Sequence, residues 1–454
     1  MLNWKERTMT QDQKSFFRCR SSSKEFLLYK TIPKPADEPA DEPAPIELGE
    51  LTQAFPDILA GKAFRDQAMA RLDGSSKFVA MAVRIDASGE TGPAGKSKLA
   101  AGVRIAVAKT IDALCKSANG IWGPLDGDTF GCFFSEHDES KALEIVKSIK
   151  TGLAERDRQT VSIGIAVYPL IDFLKAQILD NARKALDHAA FFGPASSVLF
   201  DAVSLNISGD TFYQKGDIDG AIAEFKTALR LNPSNVNVHN SLGVCYGVLG
   251  DFKNAKAEFE ETIRLDTAES MAIYNLGFVY LLTNNKKKAL EYFLEAGGQA
   301  EDIFEIVFQT GKLYLEMGNP EEGKRFLEKA GSLKPESGIA FRYLGECCAG
   351  MNLTDEAVSA YKTAIRQNPN DADALSALGY LFDLQGENPE ITTIFCQQSV
   401  DIAPENGLFR YRLGSLYLKR NLLKEALEQF QKADELGHDV KKIFKKVQKL
   451  MLDA

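Results

Sequence analysis

Seven glycines recur at a nearly constant interval from residue 209 onwards. Consecutive members are separated by 34 residues five times and by 35 residues at the last step. The series is Gly209, Gly243, Gly277, Gly311, Gly345, Gly379 and Gly414. A constant period of this length indicates an array of supersecondary units, each of which buries its apolar face against its neighbours. Residues 202–440 are therefore predicted to form seven repeats.

Other residue types keep constant distances from each glycine. Most repeats have an aromatic residue three positions later, a small residue twelve positions later and a large residue sixteen positions later. In the first repeat these are Phe212, Ala221 and Phe225. Small residues let two helices approach closely, and the large residue fills the space between them. The pattern therefore predicts a pair of antiparallel helices in each repeat.

This pattern resembles the tetratricopeptide repeat (TPR) family in period and in residue types, which implies an all-α TPR solenoid. The sixth repeat departs from it, because one extra residue moves Thr392 and Cys396 into the small and large positions. We expect a local distortion there. Residues 441–454 include the stretch Lys441–Leu450, which has five lysines and an apolar side formed by Ile443, Phe444, Val447 and Leu450. This stretch is predicted to be the solubilising cap helix that repeat arrays need. The alternative is that its basic face binds an acidic partner.

The TPR resemblance also implies a concave groove, lined by the first helix of each repeat, that holds a protein or peptide partner. Tyrosine and arginine are enriched at binding hot spots, and asparagine can pair with a ligand backbone. The family's register implies these groove residues: Asn206, Asn240, Tyr274, Asn275, Phe278, Phe308, Lys312, Arg342, Tyr343, Tyr380, Tyr411 and Arg412. The family's clamp for a terminal carboxylate is not implied, because Asn206 and Asp210 stand where Lys and Asn would be expected.

Residues 48–201 have a mixed pattern of strands and helices. The apolar run Lys77–Asp86 predicts a buried strand. Gly120–Pro124 and Phe130–Ser135 predict a hairpin, because the Asp-Gly pair between them accepts positive φ. The other predicted elements are helices over 48–72, 99–118, 139–153 and 176–191, and strands over 160–168 and 197–200. The predicted order is β-α-β-β-α-β-α-β.

Three segments of this region resemble the GGDEF (diguanylate cyclase) family, across about Asp57–Asp201. Asp126, Gly127, Asp128, Thr129 and Phe130 are similar to the GGDEF hairpin, although Asp126 and Thr129 replace a glycine and an acid. Val161–Pro169 is similar to a later strand of that family, and Ala182–Gly193 to its last helix. The resemblance implies an α+β palm-like nucleotidyl cyclase domain.

The same resemblance implies that the domain is degenerate. Catalysis in that family needs two carboxylates on a divalent metal and basic groups on the triphosphate. Asp128 keeps the second metal position, but the first maps onto Arg84, whose positive charge repels a metal ion. The guanine-reading positions map to Gly92 and Lys96, and the triphosphate-binding positions to Ala190 and Pro194. We therefore expect a pseudoenzyme without a cofactor, which serves in docking, dimerisation or nucleotide sensing.

A different alignment leaves an active enzyme open. Against the class III cyclases, which share the palm fold, Asp86 and Asp128 would be a metal pair for Mg²⁺. The substrate-contacting lysine of that family falls at Pro124, however. The alternative function is thus a divergent nucleotidyl cyclase regulated by the repeats. A phosphate-binding loop ending in Gly95-Lys96-Ser97 is excluded, because Glu90 stands where its first glycine is needed.

Charge and composition narrow the functional class. The formal net charge is -9, from 54 Lys and Arg against 63 Asp and Glu, so the chain lacks the basic excess that drives nucleic-acid binding. No apolar run predicts a transmembrane segment or a secretory signal, and the seven cysteines form no CxxC pair. Residues 1–47 are predicted to be a disordered basic arm and an acidic, proline-rich linker. These features predict a cytoplasmic protein, and with the GGDEF and TPR resemblances they imply a bacterial-type signalling or scaffold protein.

Overall fold

The computed structural model describes residues 49–86, 101–157, 159–300 and 302–452. The chain divides into two compact units, Met1–Thr267 and Ala268–Ala454. The first unit contains the mixed region and the first two repeats, and the second contains the other five. The predicted arm and linker over 1–47 and the glycine-rich segment that holds Gly92 and Lys96 lie outside the described residues.

A five-stranded mixed sheet forms the centre of the mixed region. Its strands are β1 (Phe78–Ile85), β2 (Gly120–Pro124), β3 (Thr129–Ser135), β4 (Val161–Tyr168) and β5 (Ser197–Leu199). The strand order is β2-β3-β1-β4-β5. β1 is central and antiparallel to both of its neighbours, whereas β5 runs parallel to β4. Every residue of β1 except Arg84 is buried, as expected for a continuous apolar run.

Five helices accompany the sheet. They are α1 (Gly49–Ala54), α2 (Gly61–Arg71), α3 (Ala101–Ser117), α4 (Glu139–Asp157) and α5 (Ile178–Ala189). The predicted order β-α-β-β-α-β-α-β is confirmed. The single helix predicted over 48–72 is wrong, since two helices lie there on either side of Pro56. Proline in a helix interior removes a hydrogen bond and clashes with the preceding turn.

Each of the seven repeats consists of two helices, as predicted. The first helices are α6 (Ala202–Gln214), α8 (Val236–Val248), α10 (Ser270–Leu282), α12 (Phe304–Glu316), α14 (Gly338–Gly350), α16 (Ala372–Gln385) and α18 (Gly407–Lys419). The second helices are α7 (Ile218–Leu231), α9 (Phe252–Leu265), α11 (Lys286–Gln299), α13 (Pro320–Leu333), α15 (Thr354–Gln367), α17 (Pro389–Ile402) and α19 (Leu423–Glu435).

The six described cysteines of the chain are buried and free.

The recurring glycine and large residue contact each other inside every repeat. A Cβ atom added to Gly243 would lie 2.6 Å from the ring of Phe259, and one added to Gly414 would lie 3.0 Å from the ring of Phe430. In the sixth repeat the partner of Gly379 is the Sγ atom of Cys396, at 2.6 Å from such a Cβ. The extra residue lengthens α16 to 14 residues, against 13 in α14. The distortion expected in this repeat is thus a longer first helix.

The cap helix α20 (Lys441–Leu452) follows the last repeat. Val447 is fully buried, and Ile443 and Phe444 pack with it against Phe430 of α19. The predicted capping contact is therefore present. Leu450 departs from the expectation, because 40% of its surface stays exposed. Within the described ranges, no helix is both long enough and apolar enough to cross a membrane.

The sheet region is joined to the first repeat by polar contacts within the first unit. Helix α5 packs against α6. The Nζ atom of Lys184 lies 2.6 Å and 2.8 Å from the two carboxylate oxygens of Glu224. The Nδ1 atom of His188 lies 3.3 Å from the hydroxyl of Ser204. The sheet region and the first repeat thus form one packed body.

Candidate functional site

The hairpin between β2 and β3 contains the signature residues of the GGDEF resemblance. One carboxylate oxygen of Asp126 accepts hydrogen bonds from the backbone amides of Asp128 (3.2 Å) and Thr129 (2.9 Å). The Asp128 carboxylate accepts a hydrogen bond from the Thr129 hydroxyl at 2.8 Å. Gly127 does not have the positive φ that the Asp-Gly pair predicts. The turn is held instead by the Asp126 side chain, and Phe130 is buried behind it.

Asp86, the other candidate metal ligand, uses both carboxylate oxygens for contacts within the protein. Its Oδ1 accepts a hydrogen bond from the Ser162 hydroxyl (2.6 Å), and its Oδ2 accepts one from the backbone amide of Ala195 (2.7 Å). Ala195 has a positive φ of 58°. The Nζ atom of Lys150 donates a hydrogen bond to the backbone carbonyl of Ala195 at 2.6 Å. Asp86 therefore anchors the segment that leads into β5.

Arg84 places a positive charge beside the acidic side chains of this region. Burial and the neighbouring Asp126 raise the pKa of Asp128, whereas the Thr129 hydroxyl and Arg84 lower it. Burial also raises the pKa of Asp187, and the charge of Arg84 again opposes that effect. Mg²⁺ binding needs oxygen ligands that converge on one point. The positive charge of Arg84 near Asp128 and the hydrogen bonds that both Asp86 oxygens accept are unfavourable for Mg²⁺ at this pair of carboxylates.

Five of the residues predicted to line the groove are buried inside the repeats. Tyr274 and Asn275 are completely buried, and the ring of Tyr274 stacks on Phe293 with centroids 5.1 Å apart. The other three are Asn240, Phe278 and Phe308, which are at most 8% exposed. In α6, the Oδ1 atom of Asn206 is also buried, without a hydrogen-bond partner among the described residues. These side chains contribute to packing rather than to an open surface.

Arg342, in the fifth repeat, is surrounded by acidic side chains. Its ion-pair partners are Glu346 at 2.9 Å, Asp371 at 3.3 Å and Asp373 at 3.8 Å. Burial lowers the pKa of Arg342, but these carboxylates outweigh that effect and the net change is upward. The guanidinium also lies over the ring of Tyr343, 4.5 Å from its centroid, and Lys312 lies 5.4 Å from the same ring. The charge of Arg342 is thus satisfied within the chain.

The last three predicted groove residues, Tyr380, Tyr411 and Arg412, line one pocket of about 560 Å³. The pocket lies between α16, α18 and the cap helix α20, all in the second unit. The guanidinium of Arg412 lies 4.9 Å from the centroid of the Tyr380 ring, and its Nη1 donates to the Ser376 hydroxyl at 2.9 Å.

Sequence reasoning missed the pocket residues outside the predicted groove. Leu384 lies near the end of α16, and Ile443, Lys446 and Leu450 belong to α20. The spacing of the three cap-helix residues is a signal that could have found them, since positions i, i+3 and i+7 share one face of a helix. The sequence pattern favours a capping role for this helix and leaves binding of an acidic partner by its basic face as the alternative.

Family models match four segments of the repeat region. One model, described as a TPR repeat, matches residues 209–250 and 352–386, and a second, described as a tetratricopeptide repeat, matches 236–269 and 304–337. The chain contains tetratricopeptide repeats. The family-model matches agree with the helix pairs and with the 34-residue period of the glycines. All four matched segments lie within residues 209–386 of the repeat region.

Several solved structures resemble part of the chain. The TPR protein YrrB is 22% identical with a TM-score of 0.38, covering 41% of this chain and 95% of YrrB. MamA is 30% identical with a TM-score of 0.33, covering 36% of this chain and 96% of MamA. PilF of Pseudomonas aeruginosa is 17% identical with a TM-score of 0.43, covering 46% and 95%. No curated protein matches the chain.

Proposed function

We propose that this chain is a cytoplasmic scaffold protein whose TPR repeats recruit a protein or peptide partner. The observation that carries the proposal is the convergence of Tyr380, Tyr411 and Arg412, from two successive repeats, on one pocket. Tyrosine and arginine combine large contact area with hydrogen-bonding groups, and they dominate binding hot spots. Tyr380, Tyr411 and Arg412 lie on the first helices of their repeats, which are the elements that the TPR register assigns to ligand binding.

We also propose that the sheet region is a degenerate GGDEF-like domain that does not catalyse nucleotide chemistry. The strand order and the Asp126–Phe130 hairpin support the resemblance. The hydrogen bonds of Asp86 support a structural role for that carboxylate. The charge of Arg84 beside Asp128 supports the loss of metal binding, because a guanidinium cannot be deprotonated in a protein.

The contacts of this domain with the first repeat favour a docking role over an independent one. The Lys184–Glu224 ion pair has side chains only 23% and 16% exposed, so it holds α5 against α7 in a partly desolvated setting. A second ion pair joins Arg230 to Asp172 at 2.7 Å. The domain would then hold the first repeat in place and present its remaining surface for docking, dimerisation or nucleotide sensing.

A random peptide library displayed on phage, panned on the full-length chain, tests the recruitment proposal. We expect enriched peptides that bind reversibly and slow hydrogen exchange in first helices of the TPR repeats. Binding is compared with that of the variant that carries Tyr380→Ser and Leu384→Ser. These changes remove exposed contact surface from α16. Failure to enrich any peptide, or protection confined to residues 78–199, would contradict the proposal.

The role of the GGDEF-like domain has its own test. Equilibrium dialysis of the full chain with GTP, ATP and cyclic di-GMP measures nucleotide binding, and sedimentation equilibrium measures dimerisation. The guanidinium of Arg183 lies 3.6 Å from the Asp126 carboxylate of the hairpin. Saturable nucleotide binding that is lost in Arg183→Ala would support sensing. A concentration-dependent dimer without nucleotide binding would support dimerisation. If the chain is a monomer and binds no nucleotide, docking onto the first repeat is the remaining role of the domain.

A further inference from the structure

We propose that the pocket between α16, α18 and α20 selects peptide segments that carry a carboxylate next to a large apolar side chain. This inference rests on the proposed recruitment function and names the chemistry of its ligand. It also gives the cap helix α20 a part in binding, in addition to covering the last repeat.

Arg412 supplies the reason for a carboxylate. No carboxylate oxygen of the described residues lies within 4.0 Å of its guanidinium nitrogens, and its one hydrogen bond is to the Ser376 hydroxyl. Burial therefore lowers the pKa of Arg412 below its ordinary value. A guanidinium has five donors in a planar fork that matches a carboxylate. Arg342, which is buried to a similar degree, has three acidic partners.

The charges around Arg412 also favour an acidic ligand. Three basic side chains, Arg412, Lys419 and Lys446, line the pocket, against one acidic side chain, Asp383. The Asp383 carboxylate is already neutralised by Lys419, whose Nζ lies 2.7 Å and 2.8 Å from its two oxygens. Helix α20 has five lysines and no acidic residue. This positive site belongs to a chain whose formal net charge is -9.

The remaining walls of the pocket explain why the carboxylate needs an apolar neighbour. Leu384 is 60% exposed, Tyr380 is 43% exposed and Leu450 is 40% exposed, although all three line the pocket. An apolar side chain of the ligand would remove this surface from water. A volume of about 560 Å³ is suited to a few side chains, rather than to a folded domain.

A membrane surface is the other class of ligand that a basic amphipathic helix can bind. The packing of α20 argues against it, because Phe444 and Val447 are directed into the core around Phe430. A helix that binds a bilayer needs its apolar face for the lipid. Ile443 also packs against this core, and Ile443 and Leu450 line the pocket.

The test uses peptides enriched from the phage library on the full-length chain, resynthesised with a fluorescent label and measured by anisotropy. We expect them to share a carboxylate beside Leu, Ile, Met or Phe. Replacing the acidic side chain by its amide, or amidating the C-terminus, then identifies which carboxylate binds. Arg412→Gln should weaken binding about tenfold or more, because hydrogen bonds to charged groups are among the strong ones.

Matched variants separate binding from folding. Arg410→Gln removes the same charge from the same helix, but Arg410 bonds to the Pro404 carbonyl and to Gln429 and does not line the pocket. It should change the affinity by less than about twofold. Lys446→Gln and Leu450→Ser alter exposed side chains on α20, and each should weaken binding about threefold or more without lowering the melting temperature.

Four outcomes would overturn the inference. The first is that the enriched peptides lack a carboxylate, and the second is that they bind equally well to the Arg412, Lys446 and Leu450 variants. If such peptides still protect first helices of the TPR repeats, recruitment stands and only the pocket assignment is lost. The absence of any bound peptide would remove both proposals. Competition for the peptide by phosphatidylserine vesicles, with direct vesicle binding lost in Lys446→Gln, would assign the site to lipid.

Discussion

Replacing Gly243 by alanine tests whether the contact between the recurring glycine and the ring determines the packing of each repeat. The new Cβ would lie 2.6 Å and 2.8 Å from two ring atoms of Phe259, which is completely buried. Carbon atoms prefer separations of about 3.5–4.0 Å, so α8 and α9 would have to move apart by about 1 Å. Overpacking of this kind costs about 1–3 kcal/mol. The better helix propensity of alanine returns about 1 kcal/mol.

The matched control is Gly152→Ala, in the middle of α4. The added Cβ would meet only the Thr110 methyl group at 3.5 Å, an ordinary contact. This variant should therefore gain about 1 kcal/mol from helix propensity alone. Because the propensity gain is the same in both variants, Gly243→Ala should be less stable than Gly152→Ala by about 1–3 kcal/mol.

Native-state hydrogen exchange measured by mass spectrometry resolves the two regions in one protein. Gly243→Ala should speed exchange in α8 and α9, whereas Gly152→Ala should slow it in α4. Equal or greater protection of α8 and α9 in Gly243→Ala would refute the packing argument.

Other predictions concern charged groups. Arg342→Gln leaves three carboxylates without their cation and should lower the free energy of unfolding by about 2 kcal/mol. Arg412→Gln should change the free energy of unfolding by less than about 1 kcal/mol. Urea denaturation measures both changes. The hydrogen bond that the His239 imidazole donates to the Glu258 carboxylate at 2.7 Å raises the pKa of His239 above its ordinary value. Its stabilisation is therefore complete below about pH 6.5 and is lost as the pH rises through the raised pKa, and His239→Gln should remove this dependence from the urea midpoint. Lys184→Met leaves Glu224 partly buried without its ion-pair partner, and should speed hydrogen exchange in α5 and α7 about tenfold. Unchanged exchange there would mean that the ion pair does not hold the sheet region on the first repeat.

The repeat array could be predicted from sequence because its contacts recur at one spacing. Gly243 and Phe259 are sixteen residues apart and touch, and the same pair recurs in almost every repeat. The shifted partner of Gly379, Cys396, could be predicted for the same reason. The break between α1 and α2 also has a sequence signal, since Pro56 disfavours a helix interior. The prediction of one helix over 48–72 does not use this signal.

The candidate sites were harder to predict because their contacts depend on distant parts of the chain. The partners of Asp86 are Ser162 and Ala195, which lie 76 and 109 residues later. The TPR register marks inward positions, but it does not show that Tyr274 and Asn275 are covered by other residues. The pocket around Arg412 also needs the cap helix, which has no counterpart in the repeat pattern.

Nucleotide turnover by the full-length chain tests most directly whether the protein recruits a partner rather than catalyses a reaction. The chain is incubated with GTP or ATP and with Mg²⁺ or Mn²⁺, and cyclic products are separated by chromatography and identified by mass. The account predicts no product at high protein concentration, equally for the unaltered chain and for Asp128→Ala. A cyclic nucleotide that forms with the unaltered chain and disappears in Asp128→Ala would contradict the account and make the repeats a regulatory arm of a cyclase.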